Sequence, residues 1–264
     1  MRSSLRSTRT PASEAVSTYR IRALALRKTK LGESDLIVTF LAEDGCQVRA
    51  VAKGARKTTS KFGSRLEPFT VVDLMLARGR TLEIVTEAEA FVRHDAIRGD
   101  YDRLRAASVV ADFLDKVSVE CQADSQLFPL SAAALDALDT ASVEALPALV
   151  AAFLVKGMAM HGYRPQFGCC VECGCALTRT ETSFSLAAGG MACAGCAGRD
   201  PSEARVSPDV ANVLAALLRS RFGEVPDLAL PVPLVRETLG LLRAFVNHHV
   251  PARMKALDAY VREA

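Results

Sequence analysis

An α+β fold is what the chain's periodicities predict, and three observations carry the prediction. Residues 19–86 alternate polar and apolar with the two-residue period of strands. Beyond His94 the apolar residues recur with the period of a helix. Two Cys-x-x-Cys pairs, Cys170/Cys173 and Cys193/Cys196, interrupt the helical part. Together they predict an N-terminal β-barrel of the OB-fold kind, an α-helical C-terminal body, and a four-cysteine zinc unit inserted into that body. The expected divisions are a disordered extension over 1–17, the barrel over 18–95, and the body over 96–264 with its insertion at about 167–199.

Five short strands are read in the first part. Tyr19–Arg27 alternates; Asp35–Ala42 is a β-branched apolar run; Glu43-Asp-Gly45 turns the chain into Cys46–Ala52. Phe69–Leu76 and Thr81–Thr86 follow, joined through Arg78-Gly-Arg80. Five short strands with the longest connection after the third suit a small barrel, and the OB-fold is the commonest such barrel that binds nucleic acid. A piece of a β-sandwich is the alternative.

The long third connection, Lys53–Arg65, holds five basic residues (Lys53, Arg56, Lys57, Lys61, Arg65), no acid and two glycines. Charge, flexibility and small hydroxyl residues coincide there, as a loop that tracks a phosphate backbone requires. Arg27, Lys28, Lys30 and Arg49 belong to neighbouring strands and extend the same basic stripe. The alternative is a solvated mobile loop. Residues 1–65 carry fourteen Lys and Arg against five Asp and Glu, a net of +9, which leaves −6 for the rest of a chain whose total is +3. A polyanion partner is therefore expected for the N-terminal part only.

Helices follow. Residues 99–120 place Leu104, Ala107, Ala111, Leu114 and Val117 on one stripe, with Val110 and Phe113 beside it. A second helix spans roughly 127–139, with Pro129 near its first turn, and a third about 143–161, stopping at Gly162. After the cysteines, Ser207-Pro208 reads as the cap and first position of a helix running to Phe222. Pro231 and Pro233 break the chain before a helix over 234–248, and an amphipathic segment closes at Val261.

The cysteine spacing is that of a structural zinc site. Two residues between thiolates let one tight turn present both sulfurs to one ion, and a second such turn completes a tetrahedron. Gly174 sits where the first turn must tighten, and Gly189-Gly190 leads the chain back to the second pair. The intervening segment is poor in large apolar residues, so a metal is its natural staple. Cys169 and Cys175 flank the first pair, so the ligand set could slip to Cys169 or include Cys175; the repeated spacing favours Cys170, Cys173, Cys193 and Cys196. Ordinary buried thiols, as read for Cys46 and Cys121, are the alternative. Four cysteines leave no open position for a catalytic metal.

Composition is that of a globular protein of 264 residues, with no apolar run long enough to cross a bilayer and no secretory signal. Eight cysteines without an export signal point to a reducing cytoplasm and to metal rather than disulfides. No nucleotide-binding glycine loop, metalloprotease or deaminase motif, or nucleophile elbow is present, so no catalytic residue is assigned. Among the four histidines, His94 is followed by Asp-Ala, and His248 and His249 sit late in a helix as solvated or capping residues.

Taken in order, these features resemble the RecO family of bacterial recombination mediators. The matching residues are Lys30-Leu-Gly-Glu-Ser-Asp-Leu-Ile-Val, Ala52-Lys-Gly-Ala-Arg-Lys, Ser60-Lys-Phe and Leu66-Glu-Pro-Phe69. His161-Gly-Tyr-Arg-Pro, Cys170-Val-Glu-Cys-Gly and Gly189-Gly-Met-Ala-Cys193-Ala-Gly-Cys196 follow. The resemblance covers about residues 19–200 closely; the N-terminal extension and the extra Cys169 and Cys175 depart from it. It implies a non-enzymatic, cytoplasmic and nucleoid-associated protein of recombinational repair. Such a protein binds single- and double-stranded DNA, anneals complementary strands, and works with RecR to load RecA onto strands coated by single-strand-binding protein, whose acidic C-terminal tail it also binds. A zinc-ribbon RNA-binding or transcription-associated factor is the alternative.

Overall fold

The computed structural model describes residues 17–120, 122–178 and 180–263; residues 1–16 of the expected extension and Cys121 lie outside the described residues. Strands β1 (Thr18–Leu31), β2 (Asp35–Ala42), β3 (Gln47–Ala52), β4 (Val71–Ala77) and β5 (Glu83–Val92) close a barrel in the order β1-β2-β3-β5-β4, with β4 pairing back onto β1. Every pair is antiparallel except β3 with β5, which run parallel through Ala50–Glu83 and Val51–Ile84. This is an OB-type barrel, in which closure leaves no long open edge. Its interior sets small residues on β1 and β3 (Ala23, Ala25, Ala50, Ala52) among Phe40, Leu74 and Leu76. β1 outlasts the expected strand because a register shift between Ala25 and Arg27 bends it. Its first half pairs with β4 and its second with β2 alone, which brings Lys28 and Lys30 onto the strand.

The connection from β3 to β4 is only partly the flexible loop its composition suggests. Phe62 and Leu66, the latter closing a 3-10 turn at Gly63–Leu66, are buried with the barrel's interior side chains. The basic segment is therefore folded over one mouth of the barrel and anchored there by two apolar side chains.

Among the described residues seven helices make the body: α1 (Asp95–Gly99), α2 (Tyr101–Val117), α3 (Leu127–Thr140), α4 (Leu146–Met160), α5 (Pro208–Arg219), α6 (Val232–His249) and α7 (Lys255–Glu263). α4 is central, packed by α2, α3, α5 and α6. With the 3-10 turn before it, Val143–Met160 is long and apolar enough to span a bilayer, against the expectation that no run is. Most of it is buried among the other helices, which accounts for the composition. Phe113 of α2 meets Phe153 of α4 edge-on at 5.5 Å, and a Cβ at Gly157 would come within 2.7 Å of the Phe113 ring. α2 buries more than the expected stripe because it packs on β1, α3, α4 and α7 at once; Val110 and Phe113 are fully buried while Leu104, placed on the stripe, is exposed. α5 ends at Arg219, short of Phe222. At its start the Ser207 hydroxyl donates to the Glu237 carboxylate (2.8 Å) instead of capping the helix. Pro233 lies in the first turn of α6 and opens that helix rather than breaking the chain.

Barrel and body share one core. Leu24, Leu26, Leu41, Phe69 and Val71 belong to the same apolar cluster as the helices. Phe69 adopts φ +67°, strained for a bulky residue. It is held by its own N–H donating to Ala25 O (2.8 Å) and by buried His94, whose Nδ1 lies 2.6 Å from Phe69 O and whose Nε2 lies 3.0 Å from the Asp136 carboxylate.

Between α4 and α5 the cysteine unit forms a three-stranded antiparallel sheet of β6 (Ser183–Ser185), β7 (Gly190–Ala192) and β8 (Glu203–Arg205), ordered β7-β6-β8. Phe184 docks it edge-on against Phe245 of α6 at 5.7 Å. His249 is neither solvated nor a helix cap: its Nε2 lies 2.7 Å from Leu186 O, its ring stacks on Tyr163, and burial lowers its pKa.

Candidate nucleic-acid interface and metal centre

The pleat of β1 divides the basic residues expected on one stripe. Arg27 lies opposite Thr39 on β2, which lies opposite Arg49 on β3, so these share one face of the sheet; Lys28 and Lys30 point to the other. Arg27 turns to the body, 3.3 Å from Asp115 of α2, and Arg49 lines a separate cleft with Gln47, Thr81 and Glu83. Lys28 and Lys30 line a groove of about 360 Å³ at the barrel mouth, with Leu36, Arg56, Phe62 and Glu67.

Within the loop the five cations differ in what holds them. Arg56 donates to Gly32 O (3.1 Å) and Glu33 O (2.8 Å), which pins the loop to the β1–β2 turn. Lys61 donates to Thr86 O (2.6 Å) on β5, and Arg65 to Lys61 O (2.7 Å). These are neutral acceptors, so the cations stay unneutralised while their positions are fixed. Arg65 faces a different hollow, shared with Arg20, Asp73, Glu87 and Glu89. Among the described residues, Lys28 alone of the mouth cations is paired, 2.5 Å from Glu67. Lys30, Lys53 and Lys57 make no ion pair or side-chain hydrogen bond with the described residues.

Two acids shape this surface, and sequence reasoning missed both. Glu67 neutralises Lys28. Asp35 accepts from Gly54 N–H (2.7 Å) and the Ser34 hydroxyl (2.9 Å). The Gly54 bond above all, then Ser34, Lys53 and Lys57, hold its carboxyl below the usual range. The Ser34-Asp35 pair ahead of a strand was the available signal, since Asp at such a corner bonds backbone N–H groups.

The cysteine unit is built from two tight turns. In the first, Gly174 N–H donates to Cys170 O (2.9 Å) with Gly174 at φ +74°, and Cys170 N–H donates to Cys175 O (2.8 Å). In the second, Cys196 N–H and Ala197 N–H both donate to Cys193 O at 2.9 Å. Val171 N–H to Met191 O (3.1 Å) couples the two, and a Cβ at Gly190 would lie 2.5 Å from Val171 Cγ1.

The sulfurs of Cys170, Cys173, Cys175 and Cys193 lie within 4.8 Å of one another. Cys196, the fourth residue of the expected set, is outside that foursome but adjoins it, buried against Cys170 and Ala192. Thiolates at about 2.3 Å from a tetrahedral ion stand about 3.8 Å apart; Cys173 and Cys193 are 3.8 Å apart. The donor set fits a thiolate-bound metal. Burial pushes the Cys170 thiol up, but the backbone N–H groups of Cys193, Cys173 and Glu172 outweigh it and bring it down to about 6. Hydrogen bonding to Cys173 and Cys193 pushes Cys175 up to about 12, and burial with its sulfur neighbours does the same for Cys196.

Two family models together match most of the chain: "Recombination protein O N terminal" over residues 16–92 and "Recombination protein O C terminal" over 98–258. The chain belongs to the RecO family. Proteins called "DNA repair protein RecO" are similar to it over most of its length. One from Nocardioides sp. is 39% identical over 92% of this chain and 98% of its own length. One from Cutibacterium acnes is 35% identical over 93% and 99%. One from Bifidobacterium longum (strain DJO10A) is 39% identical over 77% and 84%. RecO-family membership makes this a mediator protein of recombinational DNA repair.

Proposed function

We propose that the barrel mouth binds single- and double-stranded DNA through its backbone, and that this binding lets the protein anneal complementary strands. The observation that carries the reading is the groove holding Lys30 and Arg56 beside Lys53 and Lys57. Among the described residues none of the four makes an ion pair with a carboxylate; Lys30 lies on β1, and Lys53, Arg56 and Lys57 lie on the loop anchored by Phe62 and Leu66. Phosphate contacts of this kind position a strand without reading it. Lys61 continues the path along the loop, while Lys28, already paired, Arg65, in a different hollow, and Arg27 and Arg49, on the other face, contribute through long-range field.

With RecR, the protein promotes loading of RecA on DNA coated by single-strand-binding protein, in the bacterial cytoplasm at the nucleoid. The acidic tail of single-strand-binding protein docks on the helical body. An apolar hollow of about 250 Å³ between the starts of α4 and α6 supports this, with Ala148, Val235 and Leu239 in its lining, Arg236 in its wall, and Val143 and Val232 exposed nearby. One structural zinc ion is held by Cys170, Cys173, Cys193 and Cys196, with Cys175 in reach. Bound there, it cross-links the two turns and supplies no catalysis. The RNA-binding or transcription-associated alternative has no observation in its favour.

The test mixes the full chain with complementary strands coated by single-strand-binding protein and follows duplex formation. Annealing faster than the protein-free control is expected, with loss on replacing Lys30, Lys53 and Lys57 by alanine. A Val232→Glu variant should keep annealing of bare strands yet bind the acidic tail peptide more weakly.

A further inference from the structure

Five thiols, not four, are gathered at the metal centre, and the fifth is a consequence of the first turn's hydrogen bonding. Cys170 N–H donates to Cys175 O, closing a short loop that returns the chain beside its own start; Cys169 and Ala176 pair as an isolated bridge just outside it. That closure carries the Cys175 sulfur into the foursome with Cys170, Cys173 and Cys193. Cys196 comes from the second turn, and is 4% exposed where Cys175 is exposed. It is packed against Cys170 and Ala192, with Cys193 alongside. A tetrahedral ion has four positions. Three sulfurs are common to both sets, and two compete for the last.

We propose that Cys175 is a metal ligand that alternates with Cys196, with Cys170, Cys173 and Cys193 permanently bound. This rests on the zinc reading above and adds to it a ligand outside the paired Cys-x-x-Cys pattern. The two states differ physically. With Cys196 bound, both turns are cross-linked by two sulfurs each and the ion is shielded. With Cys175 bound, the first turn supplies three sulfurs, the second is tethered by Cys193 alone, and the released Cys196 thiol stays in its apolar seat as a neutral group. The exchange makes and breaks one metal–sulfur bond each way, the incoming thiol losing its proton to solvent and the outgoing thiolate regaining one; no oxidant is involved.

Cobalt(II) reports the donor set through its sulfur-to-metal charge-transfer band, and the full chain is used throughout. Wild type should bind one cobalt ion with four-thiolate absorption; if it binds none, the metal reading itself fails, separately from the exchange. Cys175→Ser and Cys196→Ser should each keep the four-thiolate spectrum, and the double variant should lose it. Loss in Cys196→Ser alone, loss in Cys175→Ser alone, or retention in the double variant would each overturn the proposal. Wild-type protein gives a second readout that does not depend on a variant folding. Thiolate character and access govern alkylation, so a ligand bound half the time should label about twofold more slowly once metal is added. Cys175 should slow in this way while exposed Cys169 does not; equal behaviour of the two with and without metal would sink the idea.

Discussion

The barrel and the cysteine unit are both β structures, yet they are held by opposite means. The barrel closes five strands of six to fourteen residues around Phe40, Leu74, Leu76 and their neighbours, so ladder and core reinforce each other. The unit has three strands of three residues, and around its sulfurs the buried set is Cys170, Ala192 and Cys196. A sheet that short cannot order itself by burial. It docks on the shared core through Phe184 and Met191, and the converging thiols supply the ligands of a cross-link for the rest. The lesson is that one chain can specify one β module by periodicity and another by ligand spacing.

Metal removal should separate the two most sharply. Chelation, or Cys170→Ser, is expected to unfold the unit and expose the face of α6 around Phe245, while the barrel's transition persists. Binding free energy at structural thiolate sites is folding free energy, of order 10 kcal/mol or more. Metal analysis with hydrogen exchange resolved to 166–206 against 18–92 is the measurement. Equal loss of protection in both regions would show that the unit is integral to the shared core. Conversely, Phe40→Ala should cost about 3–5 kcal/mol by opening a cavity in a closed interior. Chemical denaturation should show that loss with zinc content unchanged.

This contrast also explains what was legible. Alternation through Tyr19–Arg27 and the β-branched run at Asp35 exposed the barrel because a strand's two faces meet different surroundings. The Cys-x-x-Cys pairs exposed the cluster because tight turns fix sulfur spacing locally. Cys175 could be named only as an option, since its entry depends on a hydrogen bond to Cys170 that spacing does not encode. Leu104 was misplaced on the buried stripe because helix period gives a face but not how many neighbours cover the helix. The single basic stripe was misread for a related reason. Arg27 and Lys28 are adjacent in sequence and lie on opposite faces, and Asp35 and Glu67, distant along the chain, decide which cations stay unneutralised.

On the barrel, positive charge can be removed without touching stability. Arg56 and Lys61 hold the loop through backbone carbonyls, so their replacement mixes order with charge. Lys30, Lys53 and Lys57 make no ion pair or side-chain hydrogen bond with the described residues. Changing these three to alanine should leave the melting temperature and zinc content intact and lower the salt slope of single-strand binding by about two units. The loss should be alike on unrelated sequences. An unchanged slope would move the DNA path to another face.

The smallest effect should come from Asp35, the acid inside the basic surface. Asp35→Asn keeps a side-chain oxygen for Gly54 N–H and removes the negative charge beside Lys53 and Lys57. DNA binding should therefore tighten slightly, with a salt slope steeper by up to about one unit. The pH dependence gives the sign independently. Because the folded carboxyl is held below its ordinary value of 3.8, its contribution to loop order is fully present above that value and fades as pH falls through the lowered one. Wild type and Asp35→Asn should thus differ in DNA affinity at pH 7 and converge only in acid below the ordinary range. Weaker binding by Asp35→Asn at pH 7 would mean that the carboxylate's hold on Gly54, and with it the loop's shape, matters more to DNA than the charge it cancels.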